Sequence, residues 1–80
     1  MTKCTARINS DYWLVVSEEG VERWTVKVWG PLPLRHNEIH PSVAKAKAAS
    51  YRIAKEHFQR NRLEIDVPEV LLWKVALQAH

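Results

Sequence analysis

The chain is poor in the residues that covalent stapling and catalysis need. Its 80 residues include one cysteine, Cys4, so no disulfide can form within the chain. A small domain without staples suits a reducing compartment, and the cytoplasm is the expected location. Only two glycines occur, Gly20 and Gly30, which is too few for a glycine-rich phosphate loop. No apolar run approaches the ~20 residues that a spanning helix requires, so no membrane association is expected. The first residues, MTKCTARINSDYW, hold none of the apolar core of a secretory signal. Ser10, Ser17, Ser42 and Ser50 stand in no recognisable nucleophile setting, and Cys4 lies too near the terminus to be a good one. Carboxylates occur singly or side by side at Glu18-Glu19, where solvent is the simplest surrounding. No catalytic residue and no cofactor are expected, and the chain reads as non-enzymatic.

What the chain does carry is aromatic and apolar bulk. Four Trp, two Tyr and one Phe each bury roughly 150–250 Å² when enclosed. A hydrophobic share of 46 % with 26 % charged residues is that of a folded globular chain, and the length suits one domain over 1–80. Charge is uneven along the sequence. Residues 1–40 hold five cations and five anions, residues 41–62 hold six cations against Glu56, and residues 63–80 hold Lys74 against three acids. Read linearly, the positive charge is concentrated between residues 41 and 62.

Residues 11–29, DYWLVVSEEGVERWTVKVW, alternate as a β-hairpin rich in aromatic and β-branched residues. A three-residue turn over Glu18–Gly20, with Gly20 left-handed, pairs Leu14 with Trp24 and Tyr12 with Val26. That register keeps one face apolar, with Tyr12, Leu14, Val16, Trp24, Val26 and Val28 together. Trp13 then stands opposite Thr25, and Asp11 opposite Lys27, on the other face. KCTARI suggests a short strand ahead of the hairpin. GPLPLRHNEIHP reads as a loop, because Pro31, Pro33 and Pro41 exclude helix and central strand.

Residues from about Pro41 to Arg60 read as a helix opened by Pro41 or Ser42. Val43, Ala46, Ser50, Ile53, Ala54 and His57 share one side at 3.6 residues per turn, and Tyr51 and Phe58 flank it. The tail, RLEIDVPEVLLWKVALQAH, is ambiguous between strand and short helix. Leu63, Ile65 and Val67 alternate like a strand; beyond them Asp66-x-x-Glu69 with Pro68 would open a helix, but β-branched and aromatic residues in the run favour a strand with Leu71, Trp73, Val75 and Leu77 inward. The expected fold is α+β: a two-layer hairpin–helix–strand (ββαβ) domain with one long helix packed on a small antiparallel sheet.

One helix can shield one face of such a sheet, yet the hairpin places tryptophans on both. Trp13, Arg23, Lys27 and Trp29 fall on the face away from the helix. Either the N-terminal segment or the 31–40 loop folds over them, or they form a contact surface. The leading expectation is a small non-enzymatic binding protein docking onto a larger protein through these four residues. An inhibitor or accessory factor of the kind that phages and mobile elements encode would fit. The alternative is nucleic-acid binding, through the same face by stacking on indoles or through the basic helix residues Lys45, Arg52, Lys55 and Arg60. Self-association as a homodimer is the third possibility for the open face.

The histidines complete the survey. His36 and His40 stand four apart with Glu38 between, a spacing that would hold zinc on a helix. Two prolines bracket them in what reads as a loop, so the helical argument fails and no metal is expected. His57, on the apolar side of the helix, is expected to be a core histidine with its hydrogen bonds satisfied. His80 ends the chain and is expected to be mobile.

Overall fold

The chain alternates its way through four strands before a helix returns it across the sheet. The computed structural model describes residues 2–77, so the expectation for His80 lies outside the described residues. In order come β1 (Thr2–Arg7), β2 (Trp13–Gly20), β3 (Arg23–Trp29), β4 (Leu34–His40), α1 (Val43–Arg60) and β5 (Trp73–Leu77). The strands form one antiparallel sheet in the order β4-β3-β2-β1-β5. This is the expected two-layer α+β arrangement, with a wider sheet. The strand suggested by KCTARI is β1, and the tail ends in the strand β5.

Two local expectations are corrected. The hairpin turn lies at Val21-Glu22, not at Glu18–Gly20, and Glu22 takes the left-handed conformation (φ 55°) instead of Gly20. Leu14 therefore stands opposite Val28, Val16 opposite Val26, and Trp13 opposite Trp29, with a bulge between Glu18 and Gly20. The longer hairpin joins apolar residues to apolar residues over more of each strand. The shift is an even number of residues, so every side chain keeps the face assigned to it. The second correction is β4, in the stretch read as a loop. Its prolines bracket the strand at positions 33 and 41 and do not interrupt it, and β4 is an edge, where prolines beside a strand are tolerated.

Helix α1 runs as the sequence suggests. Ser42 caps it by accepting from the Lys45 amide at 3.2 Å. It ends with Arg62 at φ 57° and the Leu63 amide donating to the Phe58 carbonyl at 2.8 Å, a Schellman-type closure. Ala46, Ser50, Ile53, Ala54, His57 and Phe58 are buried. The small residues let the helix lie close over β2, β3 and β4. Phe58 meets Tyr12 edge-on, with ring centroids 4.9 Å apart. Tyr12 in turn needs Gly30: a Cβ at that position would collide with the Tyr12 ring and lie 2.8 Å from the Asp11 carbonyl oxygen. His57 is the satisfied core histidine expected, with Nε2 2.8 Å from the Leu32 carbonyl oxygen and Nδ1 3.3 Å from the Asn61 amide nitrogen. A carbonyl only accepts, so Nε2 carries the proton and Nδ1 accepts from Asn61.

Beyond β2 the helix gives way to the connection that follows it. Leu63, Ile65 and Val67 form no strand, but they alternate inward and pack on the core with Leu71 and Trp73. Val75, expected inward, is 64 % exposed, with none of the described residues covering it. The side chain of Leu77, also expected inward, lies outside the described residues. Among the described residues, no helix is long and apolar enough to cross a membrane.

Candidate functional site: the uncovered face of the sheet

Antiparallel partners point to the same side of a sheet, so the register fixes what the second face carries. One row is Trp29, Trp13 and Arg7, directly opposed across β3, β2 and β1. The next is Arg35, Lys27, Val15, Thr5 and Lys74, one residue from each of the five strands. At about 4.8 Å between strands, that row spans roughly 19 Å. The third row includes Thr25, Ser17, Lys3 and Ala76. The segments that were candidates to fold over this face do the opposite. The N-terminal residues become β1 inside the sheet and the 34–40 stretch becomes β4 at its edge, so both widen the face.

The indoles remain in solvent: Trp29 is 63 % and Trp13 39 % exposed. Val15, between them and the lysines, is only 8 % exposed. It lies flat on the sheet under longer neighbours, as aliphatic lysine stems cover apolar surface while their ammonium groups stay wet. The result is a shallow depression of about 340 Å³ lined by Lys3, Thr5, Trp13, Val15, Lys27 and Trp29.

Local structure holds the indole end in place. Asn9 turns the chain between β1 and β2, its side-chain oxygen accepting from the Asp11 and Tyr12 amides at 2.8 Å each. Arg7 donates from Nε to the Asn9 carbonyl at 3.1 Å, and its guanidinium lies 4.8 Å from the centre of the Trp13 ring. That is a cation–π contact at the exposed edge of the site. The charge is one-sided. Among the described residues Lys3, Arg7, Lys27, Arg35 and Lys74 share this face, and Glu19 reaches it, accepting from Thr25 Oγ1 at 3.2 Å.

Of the four residues assigned to the contact surface, Trp13, Lys27 and Trp29 come together. Arg23 does not. It sits at the turn end of β3, six residues and about 20 Å of extended strand from Trp29. Lys3, Arg7 and Arg35 were not singled out from the sequence. The signal for them was alternation in KCTAR and in LRHN, where Lys3, Thr5 and Arg7, and then Arg35 and Asn37, take every second place.

The basic helix residues lie on the other layer. Lys45, Arg52, Lys55 and Arg60 are exposed on the outside of α1. Arg52 is engaged by Glu56 at 3.4 Å and approaches Glu38 at 4.0 Å, and Lys55 lies over the Tyr51 ring at 5.6 Å. The helix separates this stripe from the Trp-bearing face, so one extended ligand cannot use both.

A scan of protein-family models finds no match to this chain, and searches of curated proteins and of solved structures find none either.

Proposed function

We propose that the chain is a non-enzymatic, cytoplasmic binding protein whose uncovered sheet face docks onto an acidic surface of a larger protein, acting as an inhibitor or accessory factor. The observation that carries this reading is the pairing of two exposed, directly opposed indoles with the cations Arg35, Lys27 and Lys74 in the adjacent row, flanked by Lys3 and Arg7. Trp and Arg are the residues on which interface energy concentrates. A flat face of one charge sign speeds encounter with a partner of the opposite sign. Trp13 and Trp29 are the anchors, Lys27 the central cation, and Lys3, Arg7, Arg35 and Lys74 the surrounding field.

A second reading is single-stranded nucleic acid on the same face. It is favoured by the stacking surface beside the cation row, since bases stack on indoles and phosphates pair with cations.

Affinity capture from host lysate separates the two, using the chain tagged at its C-terminus, Trp29→Ala, Lys27→Glu, and nuclease as an added condition. The docking reading expects one stoichiometric protein that survives nuclease and is lost with both variants. A species retained equally by wild type and both variants overturns it. Nuclease-sensitive capture, with a labelled oligothymidylate bound at low salt and released steeply as salt rises, selects the second reading.

A further inference from the structure

Strand β4 carries His36, Glu38 and His40 at alternate positions, and an unbroken strand would hold the two histidines too far apart to act together. At about 3.3 Å per residue, positions i and i+4 are separated by roughly 13 Å. Here β4 is not regular. His36 stands opposite Val26 and His40 opposite Trp24, so residues 37–39 all face the single residue Thr25. The irregularity takes up the extra length and brings the two histidines opposite Val26 and Trp24, neighbouring positions on one face of β3. One imidazole nitrogen of each and a Glu38 carboxylate oxygen all lie within 4.8 Å of one another. Bulges are over-represented at sheet edges and next to active sites, where they re-aim side chains.

The second observation concerns hydrogen bonding. His40 is 6 % exposed, and its Nε2 has no partner. His36 Nδ1 is likewise buried and without a partner. Among the described residues, three buried side-chain polar atoms lack partners, and two of them belong to this pair. An unpaired polar atom out of water is costly, and most buried polar groups are satisfied. Two imidazoles that each hold an orphan nitrogen, set beside a carboxylate, therefore point to a missing electrophile. Glu38 has one weak competitor, Arg52 Nη2 at 4.0 Å, while Arg52 Nη1 is held closer by Glu56 at 3.4 Å. The Glu38 carboxylate can turn to a metal while Arg52 stays with Glu56.

We propose that His36, Glu38 and His40 form a metal site of two imidazoles and one carboxylate, built on the bulged edge strand, with zinc as its ion. Imidazole nitrogen with carboxylate oxygen is a borderline donor set that suits zinc and not magnesium or calcium, which take oxygen ligands. Zinc also has no geometric preference from its d electrons, so it accepts the angles a bulge dictates. Ligand distances of about 2.0–2.1 Å place tetrahedral donor atoms about 3.3 Å apart. The three donors close to that separation by side-chain rotation on an edge strand. Three protein ligands leave a fourth position for water, and the ion pins the bulge through its own strand.

The test is a titration of the full chain with zinc sulfate against a chromophoric chelator, with magnesium as control and the thermal midpoint recorded in each. One equivalent of zinc is expected to bind saturably and raise the midpoint, as any ligand selective for the native state does, while magnesium does neither. Cobalt(II) in the same site should give the intense visible bands of tetrahedral coordination. His36→Gln and Glu38→Gln change side chains that are not fully buried, so the fold is expected to persist. Each should weaken zinc at least about tenfold, since losing even an outer-shell partner costs that much. Absence of saturable zinc uptake by the wild-type chain overturns the proposal. So does uptake that neither substitution weakens.

Discussion

The two faces of the sheet are made by the same strands, residue by residue, and they have opposite characters. On one, Cys4, Ala6, Leu14, Val16, Val26 and Val28 are buried under α1 and the connection that follows it. On the other, Lys3, Arg7, Lys27, Arg35 and Lys74 surround Trp13 and Trp29 in solvent. Residues 1–40 carry no net charge. Alternation still sorts much of that charge by sign, with Glu18 and Glu38 on the helix side and the five cations on the open side, Arg23 at its turn end. A linear tally of charge averages over exactly the period, two residues, that separates the faces of a strand.

The comparison can be broken first on the covered side. Phe58→Ala removes a ring that is fully enclosed against Tyr12 and should cost about 3–5 kcal/mol in chemical denaturation, enough to unfold much of a domain this small. A smaller loss would mean that the helix does not seal this face. Gly30→Ala comes next. It forces a methyl group against Tyr12 and should cost about 1–3 kcal/mol by the same measurement. On the open side the effects on stability shrink. Trp29→Ala should change it by less than about 1 kcal/mol while abolishing partner capture, because a mostly exposed ring contributes little to the fold. Lys27→Glu should lie within about 0.5 kcal/mol of wild type and still weaken capture, by placing an anion at the centre of the cation row.

The layers were legible in the sequence, and so was the helix with its Ser42 cap. Both rest on strong periodicity: the hairpin alternates over most of its length, and the apolar stripe from Ala46 to Phe58 keeps the helical spacing. The faces of the hairpin were legible even though its register was not. Parity survives an even shift, whereas the position of the turn depended on Glu22 adopting a left-handed conformation that Gly20 suits better by intrinsic preference. Strand β4 was hidden by its prolines. Their meaning depends on whether the strand is central or at an edge, and that is a property of the assembled sheet. The open face was half legible. Trp13, Lys27 and Trp29 could be placed from the hairpin alone, but the rest of the cation field comes from strands that pair across long separations in sequence. The His36–Glu38–His40 cluster was discounted because a loop gives no spacing rule. It exists through a bulge that only the pairing with β3 reveals.

The openness of the indole face can be read directly from the tryptophan side-chain NH signals in a ¹H–¹⁵N spectrum recorded with a neutral, freely diffusing gadolinium chelate. Trp13 and Trp29 should relax strongly, Trp29 the most, while Trp24 on the helix side relaxes least among the three. Sharp, protected signals from Trp13 and Trp29 would mean that the chain or a second copy of it already covers that face, and the docking surface would not exist.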